Sequence, residues 1–181
     1  MKKFILISLL LLSTNIIAQK ALLSGTYTLG GNISFSSQTY EGEKKSTNYF
    51  YFSPNVGYFL IDKLYSGIGL EYQHYSQSEF SINIYGVGPV LRYFFSNKDL
   101  APFIGFEYYY NNVTSGNYGD EDSGTIITLS GGADFFINEY VALEGIANYR
   151  FISNKHSSNM SQYKENSRIF YVGIGVKYFI I

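Results

Sequence analysis

The sequence predicts an all-β protein, namely an eight-stranded antiparallel up-and-down transmembrane β-barrel. Eight segments alternate bulky apolar residues with glycine or polar residues, which is the pattern of strands that have two unlike faces. No segment with helical periodicity separates them. Aromatic residues make up 19% of the chain and charged residues only 15%, a composition that excludes disorder and suits a surface in contact with lipid.

The N-terminus has the features of a secretory signal peptide. Lys2 and Lys3 precede an apolar run, residues 4–12, and small residues follow up to Ala18. The run is too short to cross a bilayer as a helix and is typical of an exported protein. We therefore predict two parts, a signal peptide at residues 1–18 and an outer-membrane β-barrel at residues 19–181.

The first four predicted strands each carry an outward row of bulky residues and an inward row of small or polar ones. In the third strand, Ile68, Leu70 and Tyr72 alternate with glycine and Glu71. A tight turn at residues 61–64 joins the second strand to the third. The predicted ranges are Gly25–Phe35, Tyr49–Leu60, Gly67–Gln73 and Ile82–Phe95.

The last four predicted strands repeat this alternation, and the final one shows it most clearly. There Val172, Ile174 and Val176 alternate with glycine and Lys177. The ranges are Phe103–Tyr110, Thr125–Ile137, Val141–Phe151 and Arg168–Ile181. Short turns alternate with longer polar stretches, as in outer-membrane barrels with short periplasmic turns and long external loops. The three longest polar stretches, predicted to be loops, are residues 37–48, 111–123 and 152–167.

Seven charged residues inside the predicted strands share the phase opposite to the bulky apolar residues. They are Glu71, Arg92, Glu107, Asp134, Glu144, Arg150 and Lys177. A charge facing lipid costs about 2–4 kcal/mol near the bilayer midplane, so this phase is expected to face the lumen. Only His74 and Arg168 fall in the outward phase, and both lie near strand ends.

The seven inward charges are predicted to form a structural cluster rather than a catalytic site. Small barrels have interiors that side chains nearly fill, and mutual neutralisation explains these residue types without chemistry. By strand order we expect two groups, one on consecutive early strands and one on the last three. The groups are Glu71, Arg92 and Glu107, and Asp134, Glu144 and Lys177.

Aromatic residues near the strand ends predict two girdles at the membrane interfaces. The girdle by the short turns would contain Tyr27, Tyr58, Phe59, Tyr65, Tyr93, Phe95, Phe135 and Tyr140. The girdle toward the loops would contain Phe35, Phe50, Tyr72, Tyr85, Tyr110, Tyr149 and Phe170.

Several local sequences resemble one known family. They are the signal peptide, the Gly57–Leu64 turn segment, the Pro-Phe-Ile-Gly run that starts at Pro102, and the glycine-rich last strand. In these respects the chain resembles the small outer-membrane β-barrel proteins of the porin family, similar to the OmpA transmembrane domain and OmpX. The resemblance implies a location in the bacterial outer membrane, contact with its lipid and lipopolysaccharide, and insertion by the barrel-assembly machinery. The assembly signal that it implies consists of Gly173, Val176 and Tyr178.

The function expected from these patterns is non-catalytic. We predict an envelope-structural or surface-interaction role, in which loops contact a surface ligand, and we expect a monomer. Two alternatives stay open: a narrow porin-like channel and a barrel-embedded lipid-modifying enzyme. His74 and His156 are the only histidines, and neither lies in a recognisable catalytic pattern.

No cofactor, metal or nucleic-acid partner is predicted. The net charge of -1 offers no basis for binding nucleic acid, and cysteine is absent. The acidic run Asp120–Asp122 lacks the spaced ligands of a calcium loop and is interpreted as a solvated loop tip. A soluble lipocalin-like barrel is disfavoured because it would place apolar residues inside and charges outside.

Overall fold

A computed structural model describes residues 20–39, 46–77, 80–115, 121–157 and 162–181. The predicted signal peptide lies outside the described residues. None of the described residues belongs to a helix that is long and apolar enough to cross a membrane.

The chain forms a closed antiparallel barrel in which each strand pairs with its sequence neighbours and the last strand pairs with the first. The predicted fold class is therefore confirmed. The strands are β1 (Tyr27–Thr39), β2 (Ser46–Ile61), β3 (Leu64–Gln77), β4 (Phe80–Phe94), β5 (Leu100–Ser115), β6 (Glu121–Phe136), β7 (Val141–Ser157) and β8 (Gln162–Ile180).

The strands are longer than the sequence patterns indicated. They contain 13 to 19 residues, and much of the polar sequence that was predicted as loop is paired strand. Ser153 of β7, for example, pairs with Asn166 of β8. The prediction of loops at residues 37–48, 111–123 and 152–167 was therefore wrong over much of their length. Beyond the membrane both faces of a strand meet water, so the ladder continues after the apolar alternation has ended.

The two faces of the wall have the predicted sidedness. Outward residues such as Leu70, Phe106 and Val176 are exposed, whereas all seven charged residues of the predicted cluster are buried. On β8 the exposed apolar row runs from Phe170 to Ile180, which corresponds to a height of about 25 Å for a strand tilted by about 40°. That height matches the hydrophobic band of an outer-membrane barrel.

Short connections close one end of the barrel. Asp62 and Lys63 form the turn between β2 and β3, and Lys63 has a positive φ of 67°. The turn between β6 and β7 is held by Asn138, whose Oδ1 accepts hydrogen bonds from the backbone N–H groups of Tyr140 and Val141 at 2.8 and 2.9 Å. Such side-chain acceptors are typical of tight turns. The turn at residues 61–64 was predicted correctly.

The segment before β1 folds back against the same end. Ala21 and Leu22 are fully buried, and the Leu22 carbonyl accepts a 2.8 Å hydrogen bond from the N–H of Lys63. The N–H of Gly25 donates to the carbonyl of Phe59 at 2.9 Å. The first described residues therefore cover the short-turn end of the lumen, a feature that the alternation pattern did not predict.

Candidate functional site

The interior consists of three layers that differ in chemistry. At the short-turn end lies an aromatic floor, which consists of Phe59, Tyr65, Phe94, Phe103, Phe136 and Phe179. Above it lie the seven charged residues, here called the charge cluster. At the loop end the lumen is lined largely by tyrosine and isoleucine side chains. The sequence predicted a polar interior throughout, but only the middle layer is charged.

Arg92 binds two carboxylates in the larger ion-pair network, whose central residue is Glu144. Arg92 Nη1 donates to Glu144 Oε2 at 2.5 Å, and Arg92 Nη2 donates to Glu107 Oε1 at 3.2 Å. The Nζ of Lys177 lies 2.5 Å from the same Glu144 oxygen and 2.8 Å from Asp134 Oδ2. Five side chains from β4, β5, β6, β7 and β8 are thereby linked across the lumen. All five are nearly inaccessible to solvent.

The other two charged residues form a separate pair closer to the loop end. Arg150 donates from Nη2 to Glu71, and Gln73 donates to the other oxygen of the same carboxylate. Grouping by strand order, which placed Glu71 with Arg92, was therefore wrong. Side chains in so narrow a barrel reach across the lumen, so the height of a residue on the wall decides its partner.

Isolated buried charges are costly, which explains why these side chains are paired. Removing one member of a buried ion pair costs about 3–5 kcal/mol, because its partner is left uncompensated. Cation–aromatic contacts add to the pairing. The Arg92 guanidinium lies 5.0 Å from the ring centroid of Phe103, and Lys177 Nζ lies 5.1 and 4.9 Å from the centroids of Phe94 and Phe103. The charge cluster therefore rests directly on the aromatic floor.

The aromatic floor fills the lumen at the short-turn end. The centroids of Phe94 and Phe103 are 5.3 Å apart, and those of Phe136 and Phe179 are 5.0 Å apart. Phe59 and Tyr65 belong to this floor, so their assignment to the outer girdle was wrong. Phe59 lies between two outward residues, and strand alternation places it inside. Assigning alternate residues of each strand to the inside would have identified every residue of the aromatic floor from the sequence.

Glycine on the inward face makes room for the largest side chains. A Cβ at Gly105 would lie 3.2 Å from the Cγ of Arg92 and 2.3 Å from the Oγ of Ser130. A Cβ at Gly69 would lie 2.3 Å from the hydroxyl of Tyr109, which is itself buried. These inward glycines therefore permit the lumen to be packed with long residues.

Above the charge cluster, two tyrosines cover Arg150. The rings of Tyr51 and Tyr171 stack with centroids 4.7 Å apart and an interplanar angle of 4°. The Arg150 guanidinium lies 5.9 and 5.8 Å from these centroids. The Nε and Nη1 atoms of Arg150 have no hydrogen-bond partner among the described residues. The arginine is therefore held by one carboxylate and by the faces of two rings.

Two adjoining cavities occupy the loop end. One, of about 570 Å³, is lined by residues of β1, β2 and β8, and the other, of about 380 Å³, lies between β2, β3, β4, β7 and β8. Both are lined by Tyr49, Tyr51 and Ile169. Neither cavity was predicted, because its walls come from strands that are far apart in the sequence.

The remaining sequence-predicted residues lie outside this interior. His74 faces outward, and its Nδ1 lies 2.9 Å from Asn83 Oδ1. The same oxygen accepts a 2.9 Å hydrogen bond from the hydroxyl of Tyr72. In the assembly signal, Val176 and Tyr178 face outward. The signal's third member, Gly173, pairs with Ile146 on β7. The side chains of Asp120–Asp122 and of His156 lie outside the part of the chain that the structure describes. Among the described residues, no group of three His, Cys, Asp or Glu could hold a metal ion.

A closed barrel with an apolar exterior and a paired, buried charge cluster defines the class of small transmembrane β-barrels. No protein-family model and no curated protein matches the chain. Solved structures do match, at low sequence identity. The crystal structure of neisserial surface protein A (NspA) is 18% identical with a TM-score of 0.62, over 86% of this chain and 97% of that one.

Two structures from Pseudomonas aeruginosa show the same fold. The outer-membrane protein OprG is 14% identical with a TM-score of 0.58, over 88% of this chain and 98% of that one. The N-terminal β-barrel domain of OprF is 14% identical with a TM-score of 0.52, over 87% and 98%. The chain therefore has the fold of a small outer-membrane β-barrel. The resemblance stated from the sequence is confirmed at the level of the fold.

Proposed function

We propose that the protein is a non-catalytic barrel of the bacterial outer membrane. In this proposal, residues 1–18 are removed on export, the barrel supports the envelope, and its long hairpins contact partners at the cell surface. The observation that carries the proposal is the combination of an apolar exterior with a lumen closed by the charge cluster and the aromatic floor. Lipid offers no hydrogen bonds to a free strand edge, so ring closure is the form that a spanning sheet takes.

The aromatic floor argues against the channel alternative. Its rings lie directly beneath the charge cluster, and Leu22 is buried at the same end of the barrel. We expect purified barrels in planar bilayers to show no stepwise conductance. Regular current steps would favour the narrow-channel alternative instead.

The surroundings of His74 argue against the enzyme alternative. This side chain faces outward at the level of the loop-end girdle and pairs with the amide of Asn83. A hydrolase or acyltransferase needs an imidazole within reach of a nucleophile. If His74→Ala and His156→Ala each leave lipid A unaltered in cells, as we expect, catalysis through either histidine is excluded.

The membrane location is tested by fractionation and by gel mobility. A folded barrel resists detergent unfolding because its strands are closed into a ring, so unboiled protein should migrate differently from boiled protein. We expect this shift together with sedimentation in the outer-membrane fraction. A soluble protein that shows no shift would contradict the proposal.

The long hairpins are proposed to carry the surface role. On β7 and β8 the exposed apolar belt ends at Phe151 and Phe170, and pairing continues to Ser157 and Gln162. This paired extension rises about 15–20 Å above the belt. Because hydrogen-bonded strands hold their shape, such hairpins present side chains in fixed positions for lipopolysaccharide or for a surface ligand.

A trimmed variant separates the structural role from the surface role. Residues 154–165 would be replaced by Asn-Gly, which favours a two-residue hairpin turn between Ser153 and Asn166. In a strain that lacks the protein, the trimmed barrel should restore detergent resistance if the role is envelope support. If only the full-length chain restores it, the hairpin itself carries the function.

Insertion is proposed to depend on the assembly signal in β8. Tyr178→Ala should slow insertion by the barrel-assembly machinery in proteoliposomes more than Tyr140→Ala does. Both tyrosines are outward and lie at the same end of the barrel, and their ring centroids are 6.5 Å apart. Equal insertion rates for the two variants would contradict this assignment.

A further inference from the structure

The barrel wall has a gap between its first and last strands. The ladder between β1 and β8 ends where Ile33 pairs with Ile174. On the loop side of that pair, β1 continues beside β2 to Thr39, and β8 lies beside β7 from Gln162. Within the described ranges, no ladder pair joins β1 to β8 in this region. The other seams keep their pairing further toward the loops.

The gap forms a cleft that we call the seam cleft, bounded by residues 34–35 on β1 and 168–172 on β8. At its lower end, Ser34 Oγ donates a 2.6 Å hydrogen bond to the carbonyl of Val172. This side-chain contact lies just above the last ladder pair. Above it, the edges of the two strands are not paired with each other.

The 570 Å³ cavity passes through this gap. Its lining includes Phe35 and Phe170, which face outward and are 69% and 66% exposed, and also Tyr51, which faces inward and is buried. Since no ladder pair joins β1 to β8 at this height, no strand pairing separates these outward and inward residues. The seam cleft therefore connects the outside of the barrel with its lumen.

The inner end of this passage is mainly apolar. The adjoining cavity of about 380 Å³ is lined by four isoleucines and three tyrosines, and its polar lining residues are Gln73, His74, Asn154 and Ser167. Both volumes lie within the range of about 300–1,000 Å³ that is typical of small-molecule sites. Such walls suit a hydrocarbon chain, because burying each CH₂ group contributes about 0.8 kcal/mol.

The mouth of the cleft lies at the outer edge of the apolar belt and carries a positive charge. Among the side chains that the structure describes, Phe35 and Phe170 are the last exposed aromatic residues of their strands on the loop side. Next to them Arg168 is exposed, with its guanidinium 5.8 Å from the ring centroid of Phe151. Among the described side chains, no carboxylate forms an ion pair with Arg168. Guanidinium groups bind carboxylates through paired hydrogen bonds.

We propose that the seam cleft binds a single-chain alkyl carboxylate. The carboxylate pairs with Arg168 at the interface, and the hydrocarbon chain passes Ile169 into the lumen toward Tyr51. An unbranched chain fits between two strand edges, whereas a two-chain lipid would have to leave one chain outside. The inference rests on the membrane placement proposed above.

The test uses photoreactive dodecanoate with a diazirine near the end of its chain, added to the full barrel in phosphatidylcholine nanodiscs. Mass spectrometry would map the labelled peptides. We expect labelling concentrated on residues 49–51 and 168–172, saturable, and competed by unlabelled dodecanoate. A matched alkyl diazirine without the carboxylate should label these peptides more weakly.

Two variants test the two parts of the site, namely the charged mouth at Arg168 and the apolar passage at Ile169. Arg168→Gln should raise the apparent Kd for dodecanoate by about three- to fivefold, as expected for an exposed ion pair. Lys98→Gln, the same charge change at the exposed short-turn end, should leave it unchanged. Ile169→Trp should abolish the labelling of residues 49–51 by filling the passage. Retention of the gel-mobility shift would show that each variant is folded.

Several outcomes would overturn the proposal. These are a folded barrel without saturable labelling, equal labelling by the uncharged probe, and unchanged binding in both cleft variants. Labelling by a photoreactive phospholipid that dodecanoate does not compete would assign the cleft to bulk lipid instead. If the protein showed no gel-mobility shift, the proposed membrane location itself would be contradicted. The mobility shift therefore distinguishes that outcome from one in which only the binding proposal is wrong.

Discussion

Arg92 on β4 and Glu144 on β7 meet across the lumen, with Nη1 and Oε2 2.5 Å apart although 52 residues separate them in the chain. The contact joins opposite walls of the barrel. Glu144 also binds Lys177 on the closing strand. One carboxylate therefore serves two cations, and the charge cluster depends on it more than on any other acid that the structure describes.

Glu144→Gln is expected to destabilise the barrel by about 3–5 kcal/mol, because Arg92 and Lys177 each lose a buried charge-assisted hydrogen bond worth about 1.5–3 kcal/mol, although each keeps a second carboxylate. Glu139→Gln, in the turn between β6 and β7, removes the same charge at a more accessible position and should cost less than about 1 kcal/mol. Urea unfolding in phospholipid vesicles measures both free energies. Equal losses would contradict a structural role for the charge cluster.

Phe103→Ala is expected to cost about 3–5 kcal/mol, because it opens a cavity in the aromatic floor beneath Arg92 and Lys177. Phe106→Ala, on the same strand but facing outward, serves as the control. Lipid acyl chains can fill the space that the removed ring leaves, so the unfolding free energy of this variant should fall by less. The ratio of the two unfolding free-energy changes is the measurement, and a ratio near one would argue against a packed floor.

Ile68→Arg tests whether the apolar exterior of the barrel is in contact with lipid. The side chain is 59% exposed within the apolar belt of β3, where an arginine should cost about 2–4 kcal/mol of folding free energy in a bilayer. Asn166→Arg, exposed on the outward face of β8 beyond the belt, should cost about 0–1 kcal/mol. If both arginines were tolerated equally in vesicles, the belt would not be in contact with lipid.

Gly88→Ala is expected to prevent normal folding, since a Cβ at this position would lie 1.7 Å from the carbonyl oxygen of Tyr108. Backbone would have to move to relieve the clash. Gly145→Ala is the matched control, because nothing lies within 4 Å of its added Cβ. The fraction that shows the gel-mobility shift after refolding reports the difference. Full refolding of Gly88→Ala would indicate that β4 and β5 are further apart than described.

Some features that were not predicted could have been derived from the sequence. Phe59 and Tyr65 stand in the inward phase beside the predicted outward residues, and counting alternate positions would have moved them from the girdle to the floor. The extended strands were harder to predict. Where both faces of a strand meet water, as around Ser153, the apolar alternation disappears although the hydrogen-bonded ladder continues.

The sequence by itself determined the number of strands and the face of each residue, because a period of two leaves a side chain such as Lys177 or Phe106 only one of two directions. The tertiary structure alone decided which inward residues meet. Arg150 pairs with Glu71, and Arg92 with Glu144, because strand stagger sets the height of each residue and the narrow lumen lets side chains cross it. The incomplete β1–β8 seam is likewise a property of barrel closure, since it depends on how two strands from opposite ends of the chain align.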